Sequence, residues 1–244
     1  MDRKELTRRY LFFIAAVLVN AFAIALITKA LLGTSPISSI PYVLSLSTPV
    51  TMGGWTIGFS LLLIVGACVL QGWRETCRRW LELLAQVPVT LCFGAFIDVS
   101  MVYLLSWLQP TTYWHQIGAL LVGSFLLGSG VAMEVKADVA MVAGEYFVSA
   151  LSKRLRRGFA TLKVCFDWSN VAVAALLSWL FLGRIAGIRE GTLVAALLVG
   201  PVSHLVFPWL RIFNGFLTPT GQPEKPSIYR RLLRRLRRRS YSEE

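Results

Sequence analysis

Six long apolar runs, sparing in charge, dominate this chain of 244 residues and limit what it can fold into. They lie roughly at Tyr10–Leu32, Trp55–Gln71, Leu81–Leu108, Gln116–Val135, Leu162–Leu182 and Thr192–Phe213, the second being short. At about 1.5 Å of rise per residue, such a run crosses a hydrocarbon core of about 30 Å. In lipid a helix satisfies its backbone hydrogen bonds within itself, so helical spans are the expected form. Charged residues make up 16% of the chain, well below the roughly 25% of soluble domains. An ordinary soluble enzyme is excluded and an all-α integral membrane protein is predicted. The N-terminal basic residues followed by an apolar stretch resemble a signal peptide, but Leu11–Leu32 exceeds an h-region of about 7 to 15 residues and reads as a retained span.

Lys and Arg set the orientation, because cytoplasmic loops retain positive charge. Arg3, Lys4, Arg8 and Arg9 precede the first span; Arg74, Arg78 and Arg79 lie in the second loop; Lys136, Lys153, Arg154, Arg156 and Arg157 lie in the fourth. These segments are expected inside, which leaves both termini cytoplasmic. The formal charge is +12, and residues 224–244 hold eight basic residues against three acidic ones, a net +5. Within that tail Ile228, Leu232, Leu233 and Leu236 fall on one helical stripe, with Arg230, Arg231, Arg234, Arg235, Arg237, Arg238 and Arg239 around it. The pattern fits an amphipathic helix on anionic lipid, with disorder as the alternative. Pro219, Gly221, Pro223 and Pro226 make the stretch before it a linker. Cys68, Cys77, Cys92 and Cys165 form no CxxC pair, and the three within apolar runs read as small hydrophobes.

Two apolar segments of about a dozen residues, Thr34–Leu46 and Asp138–Leu151, are too short to span and each follows a span, which suits a half-helix that is either re-entrant or interfacial. Thr34-Ser35-Pro36 opens the first with capping residues and a Pro suited to the first turn; Asp138 is a good cap for the second. The halves also match. Lys29-Ala30 pairs with Lys136-Ala137, and Leu44-Ser45 with Leu151-Ser152, both at an offset of 107 in the numbering; Gly94 pairs with Gly200 at an offset of 106. Each half reads span, half-helix, span, span. Three spans being odd, the second copy enters from the opposite side, which predicts two inverted three-helix repeats, residues 1–108 and 109–215, followed by a basic cytoplasmic tail, 216–244. Inverted repeats in transporters place the site near the midplane at their interface.

Lys29-Ala30-Leu31-Leu32-Gly33-Thr34-Ser35-Pro36, Gln86-Val87-Pro88-Val89-Thr90 with Phe93-Gly94-Ala95-Phe96-Ile97-Asp98, and Gly187-Ile188-Arg189-Glu190-Gly191-Thr192 with Gly200-Pro201 resemble the YczE/YitT-like bacterial membrane proteins, over about Lys29 to Pro201. The resemblance implies a multi-pass protein of the bacterial cytoplasmic membrane with a duplicated helical core, and little about a substrate. In that pattern each half-helix often carries an acid two residues after its Pro position. Glu145 fills the second such place, Ser38 fills the first, and Ala143 replaces the second Pro. Asp167 matches the acid of the family's fifth span.

An ionisable residue within a span costs about 2.5–3.5 kcal/mol at a helix centre, so each is a functional candidate. Asp98, Glu145, Asp167 and His204 qualify, with Asn20, Gln86 and Asn170 as polar companions. Lys163, Asp167 and Asn170 share one helix face, and Lys163 serves either to neutralise Asp167 or to leave it free for a ligand or proton. Gln86 and Asp98, twelve residues apart, share a face but differ by about 18 Å in depth. Glu145, Gln86 and Asp167 form the preferred solute- or ion-binding cluster, with Asp98, Asn170 and His204 as further candidates. Arg189 and Glu190 are expected to bond to backbone across a loop. Gly118, Gly123, Gly128 and Gly130 allow close helix contact.

No HExxH or Walker loop is present, so zinc-protease and nucleotide-hydrolase readings lack their residues; no catalytic residue, metal or cofactor is expected. The first reading is a secondary carrier of a small solute working by alternating access. The alternative is a membrane-anchored interaction or regulatory subunit without transport activity. Expected partners are the bilayer with its anionic cytoplasmic lipids, an unidentified solute, and either a second copy or a membrane partner; nucleic acid is not expected.

Overall fold

The structure, a computed structural model, describes residues 3–72, 76–77 and 80–217. It is helical throughout these residues: α1 (Arg3–Lys29), α2 (Ser39–Ser47, entered through a 3-10 turn Pro36–Ser38), α3 (Met52–Gln71), α4 (Trp80–Val99), α5 (Tyr113–Ala137), α6 (Ala143–Leu155), α7 (Phe159–Leu182), α8 (Glu190–Val206) and a last short turn, α9 (Asn214–Leu217). A π turn, Ser100–Leu104, extends α4. Five helices, α1, α3, α4 with its extension, α5 and α7, are long and apolar enough to cross a membrane; α8, at 17 residues, is shorter. The Arg-rich tail and the arginines of the α3–α4 loop lie outside the described residues.

The helices bury one side and leave large apolar side chains such as Leu62, Val69, Trp179, Leu180 and Leu197 exposed. A soluble monomer does not present so much apolar surface, whereas lipid accepts it. α1 is the centre: two-thirds of its most apolar window is buried, against 17% for α7 at the periphery. α1 runs antiparallel to α5. Arg9 Nη1 donates to the Ala137 carbonyl at 3.3 Å, Asn20 lies over Gly130, and Ile27 lies over Gly123, so one helix recedes as the other advances. Gly128 gives the same closeness to Val202 of α8, while Gly118 faces open space.

Each half-helix packs on a long helix of either half, α2 on α3 and α7 and α6 on α7 and α3. α2 packs on α7, with Ile40 and Val43 against Ala174 and Leu177; α6 packs on α3, with Tyr146 and Ala150 against Ala67 and Leu70. Val43 and Ala150, Ala67 and Ala174, and Leu70 and Leu177 are each related by the same offset of 107 that links the two halves of the sequence. Tyr146 also donates through its hydroxyl to Gln71 Oε1 at 3.2 Å, fixing α6 to the end of α3.

Local chemistry departs from the sequence reading at the entry to α6. Asp138 is not its cap: it ends α5 in the left-handed region, φ 53°, and its N–H bonds to the Glu134 carbonyl. The cap is Val142, extended at φ −63° and ψ 152°, with no side-chain hydrogen bond. The half-helix is therefore capped four residues later than expected. At α2, Pro36 takes the first turn as expected, but Ser35 Oγ bonds to Ser38 Oγ at 3.1 Å and caps no backbone N–H.

Candidate functional site

The start of α6 faces several of the buried polar side chains, Ser60, Gln86 and Thr90 among them. A helix leaves its first N–H groups without intrahelical partners. Tyr146 N–H is the first to bond back, to the Val142 carbonyl at 2.9 Å, so the amides of Ala143, Gly144 and Glu145 point off the helix end. Glu145 sits in this first turn, where a carboxylate complements the helix dipole. It is also within electrostatic reach of Lys163 and Asp167 on α7 and of Glu134 on α5. Lys163 Nζ bridges both oxygens of Asp167, at 2.5 and 2.7 Å, with both side chains about a quarter exposed.

Glu134 is absent from the candidates read from the sequence. It is 4% exposed and accepts a 2.8 Å hydrogen bond at Oε1 from Asn20 Nδ2. The signal was its place within the run Gln116–Val135, one residue from that run's end. The helix continues to Ala137, which puts Glu134 inside.

On another side of the same first turn, Val142 and Ala143 face a cleft walled by Ser60 of α3 and by Gln86, Thr90 and Phe93 of α4. Its interior, about 10 Å³, is the room of one water. Ser60, Gln86 and Thr90 are 7%, 5% and 5% exposed. Gln86 Oε1 has no hydrogen-bond partner, and among the described residues no hydrogen bond engages the Ser60 or Thr90 hydroxyl.

The remaining candidates lie apart or carry other bonds. Asn170, 3% exposed, holds a buried Nδ2 without a partner one turn from Asp167. Asp98 is engaged by the start of α3, accepting from Thr51 Oγ1 at 2.7 Å and from the Gly53 N–H at 2.8 Å. His204 is exposed on α8. Arg189 does reach backbone across its loop, donating to the Leu31 carbonyl at 3.1 Å. Thus Glu145 and Asp167 come within electrostatic reach of each other, Gln86 lines the cleft at the same helix start, and Asp98 and His204 stand elsewhere.

A family model described as a family of unknown function (DUF6198) matches residues 7–208. The chain is also 25% identical, over 209 residues covering 84% of its length and 88% of the relative's, to "Uncharacterized membrane protein YczE" of Bacillus subtilis (strain 168). No solved structure matches.

Proposed function

Because the chain belongs to the DUF6198 family, whose function is unknown, its role has to be read from its own interior, and we propose that this membrane protein is a secondary carrier of a small solute. The observation that carries the reading is the polar start of α6, with Glu145 beside Glu134, Lys163 and Asp167 and Gln86 unpartnered in the adjoining cleft. Polar groups inside a membrane are expensive to keep without a use.

Alternating access would come from two inverted halves, with α8 as the sixth span. Three features support that arrangement: the antiparallel pairing of α1 with α5, the seating of α2 on α7 and of α6 on α3, and the common offset between the residues that seat them. The excess of Lys and Arg supports a reading with both termini on the cytoplasmic side of a bacterial membrane. In this reading Glu145 and Asp167 bind the cation, proton or polar group that moves with the solute, Lys163 neutralises them between turnovers, and Gln86 orients the solute.

A ligand that binds only the folded protein stabilises it. Thermal unfolding of the purified protein across ions, amino acids, organic acids and lipids is expected to show a shift from one solute class, lost in Glu145→Ala. A shift from anionic lipid alone, equal in the variant, overturns the carrier and turns attention to a membrane-anchored partner.

A further inference from the structure

Asn20 stands roughly 15 Å along α1 from Arg9 and from Lys29, the mid-depth of a hydrocarbon core of about 30 Å. Its carboxamide lies against Gly130 of α5. Side chains on a helix lean toward its N-terminus, so Glu134, one turn after Gly130, reaches back to the same place. The two residues are 5% and 4% exposed. Asn20 Nδ2 donates to Glu134 Oε1 at 2.8 Å, yet Asn20 Oδ1 is buried with no partner. Among the described residues no ion pair engages Glu134, and no hydrogen bond engages its Oε2. The pair is one donor short.

We infer that Glu134 carries a proton on Oε2 and that this proton is the ion the carrier couples to its solute. The inference rests on the carrier reading and names its coupling ion, which leaves Glu145 and Asp167 for a polar group of the solute. A neutral carboxylic acid and a carboxamide match donor to acceptor twice, N–H to C=O in one direction and O–H to C=O in the other. Ionised, Glu134 would keep the first bond, leave Oδ1 without a donor, and hold a buried charge with no cation against it. The neighbouring charges are otherwise engaged. Arg9 of α1 bonds Glu5 and the Ala137 carbonyl. Lys136, two residues on and so about 200° around α5, lies over the Phe207 ring, and Asp138 ends the helix. His204 of α8 and Arg211 after it are exposed. Glu145 of α6 is within electrostatic reach, and a negative charge there disfavours a second on Glu134. A metal cation does not fit: such ions take about six oxygen ligands, and among the described residues no group of three His, Cys, Asp or Glu side chains could hold one. Gly130 also lies so close to Oδ1 that a Cβ there would collide with it. A proton needs no room. In the cycle it comes from water on one side and leaves to water on the other, and only the Oε2–H bond is made and broken.

The test uses the full chain in detergent. At neutral pH the infrared spectrum is expected to show the carbonyl stretch of a protonated carboxylic acid, diminished in Glu134→Gln and unchanged in Glu190→Gln, whose side chain is half exposed. The unfolded chain gives that proton up, so the unfolding midpoint falls as pH rises above the ordinary carboxylate range, by about 4 °C per pH unit. Glu134→Gln, whose amide supplies the missing donor at any pH, lacks this fall. Should that variant fail to purify, Asn20→Ala removes the acceptor and is expected to shift the band without abolishing it. No band, a band indifferent to Glu134→Gln, or one unmoved by Asn20→Ala overturns the inference. Proteoliposomes holding a pH-sensitive dye, given the ions, amino acids and organic acids of the unfolding screen in turn, separate the two claims. Proton movement with one solute class, lost in Glu134→Gln, supports both. Solute flux that leaves the internal pH unchanged overturns the inference and leaves the carrier. A Glu134-dependent band without flux of any probe overturns the carrier, and the coupling with it, while the neutral acid stands.

Discussion

At position 130 the missing Cβ is what lets α5 lie against Asn20. A Cβ built there meets Asn20 Oδ1 and Cγ, whereas one built at Gly118 on the same helix meets nothing within 4 Å. Gly130→Ala must push Asn20 away from Glu134 or part α1 from α5, and overpacking of this kind costs about 1–3 kcal/mol. Gly118→Ala gains up to about 1 kcal/mol of helix propensity. The expected result is a lowered unfolding midpoint for the first and an unchanged or raised one for the second; equal midpoints would show that the Asn20 contact holds nothing. At this scale the sequence was partly legible. Glu145, Asp167 and Gln86 announced themselves as polar residues in apolar surroundings, and cost alone marks such residues. Asp98 did so equally, yet its carboxylate closes the start of α3 from a different helix, a role that no spacing along the chain encodes. Glu134 stood inside the run Gln116–Val135 on the same footing and was passed over.

Among the elements, the seats of the half-helices share one design. Ala67 under α6 and Ala174 under α2 are both fully buried, and each leaves the half-helix room to approach. Ala67→Leu and Ala174→Leu are each expected to destabilise by about 1–3 kcal/mol. Because they lie in separate clusters, the double variant is expected to lose the sum. A thermal or denaturant series checks this, and a double variant no worse than either single one would show that the two seats are not independent. The short helices were visible because an apolar run of a dozen residues cannot span. Their starts were misplaced where capping chemistry misled: Asp is a favoured cap, but Asp138 is used instead for the left-handed end of α5. The packing of α2 on α7 and of α6 on α3 joins residues far apart in the chain, and could not be read from periodicity.

For the whole molecule, the orientation drawn from Lys and Arg has a direct check. Cys77 is exposed between α3 and α4, and Thr111 is exposed between α4 and α5. In a chain keeping Cys77 alone, a membrane-impermeant maleimide is expected to label inverted vesicles and not right-side-out cells. A chain whose single cysteine comes from Thr111→Cys is expected to label in the reverse pattern. Labelling of both from one side overturns the topology. Hydropathy made the spans legible because lipid leaves a backbone few alternatives; the sixth was overextended, since α8 stops at Val206 and a 3-10 turn follows at Trp209–Phe213. The seating of the half-helices carries a consequence of another kind. Each half-helix lies between a long helix of its own half and one of the other, α2 between α3 and α7 and α6 between α7 and α3, so a push on either half-helix is felt in both halves of the chain at once.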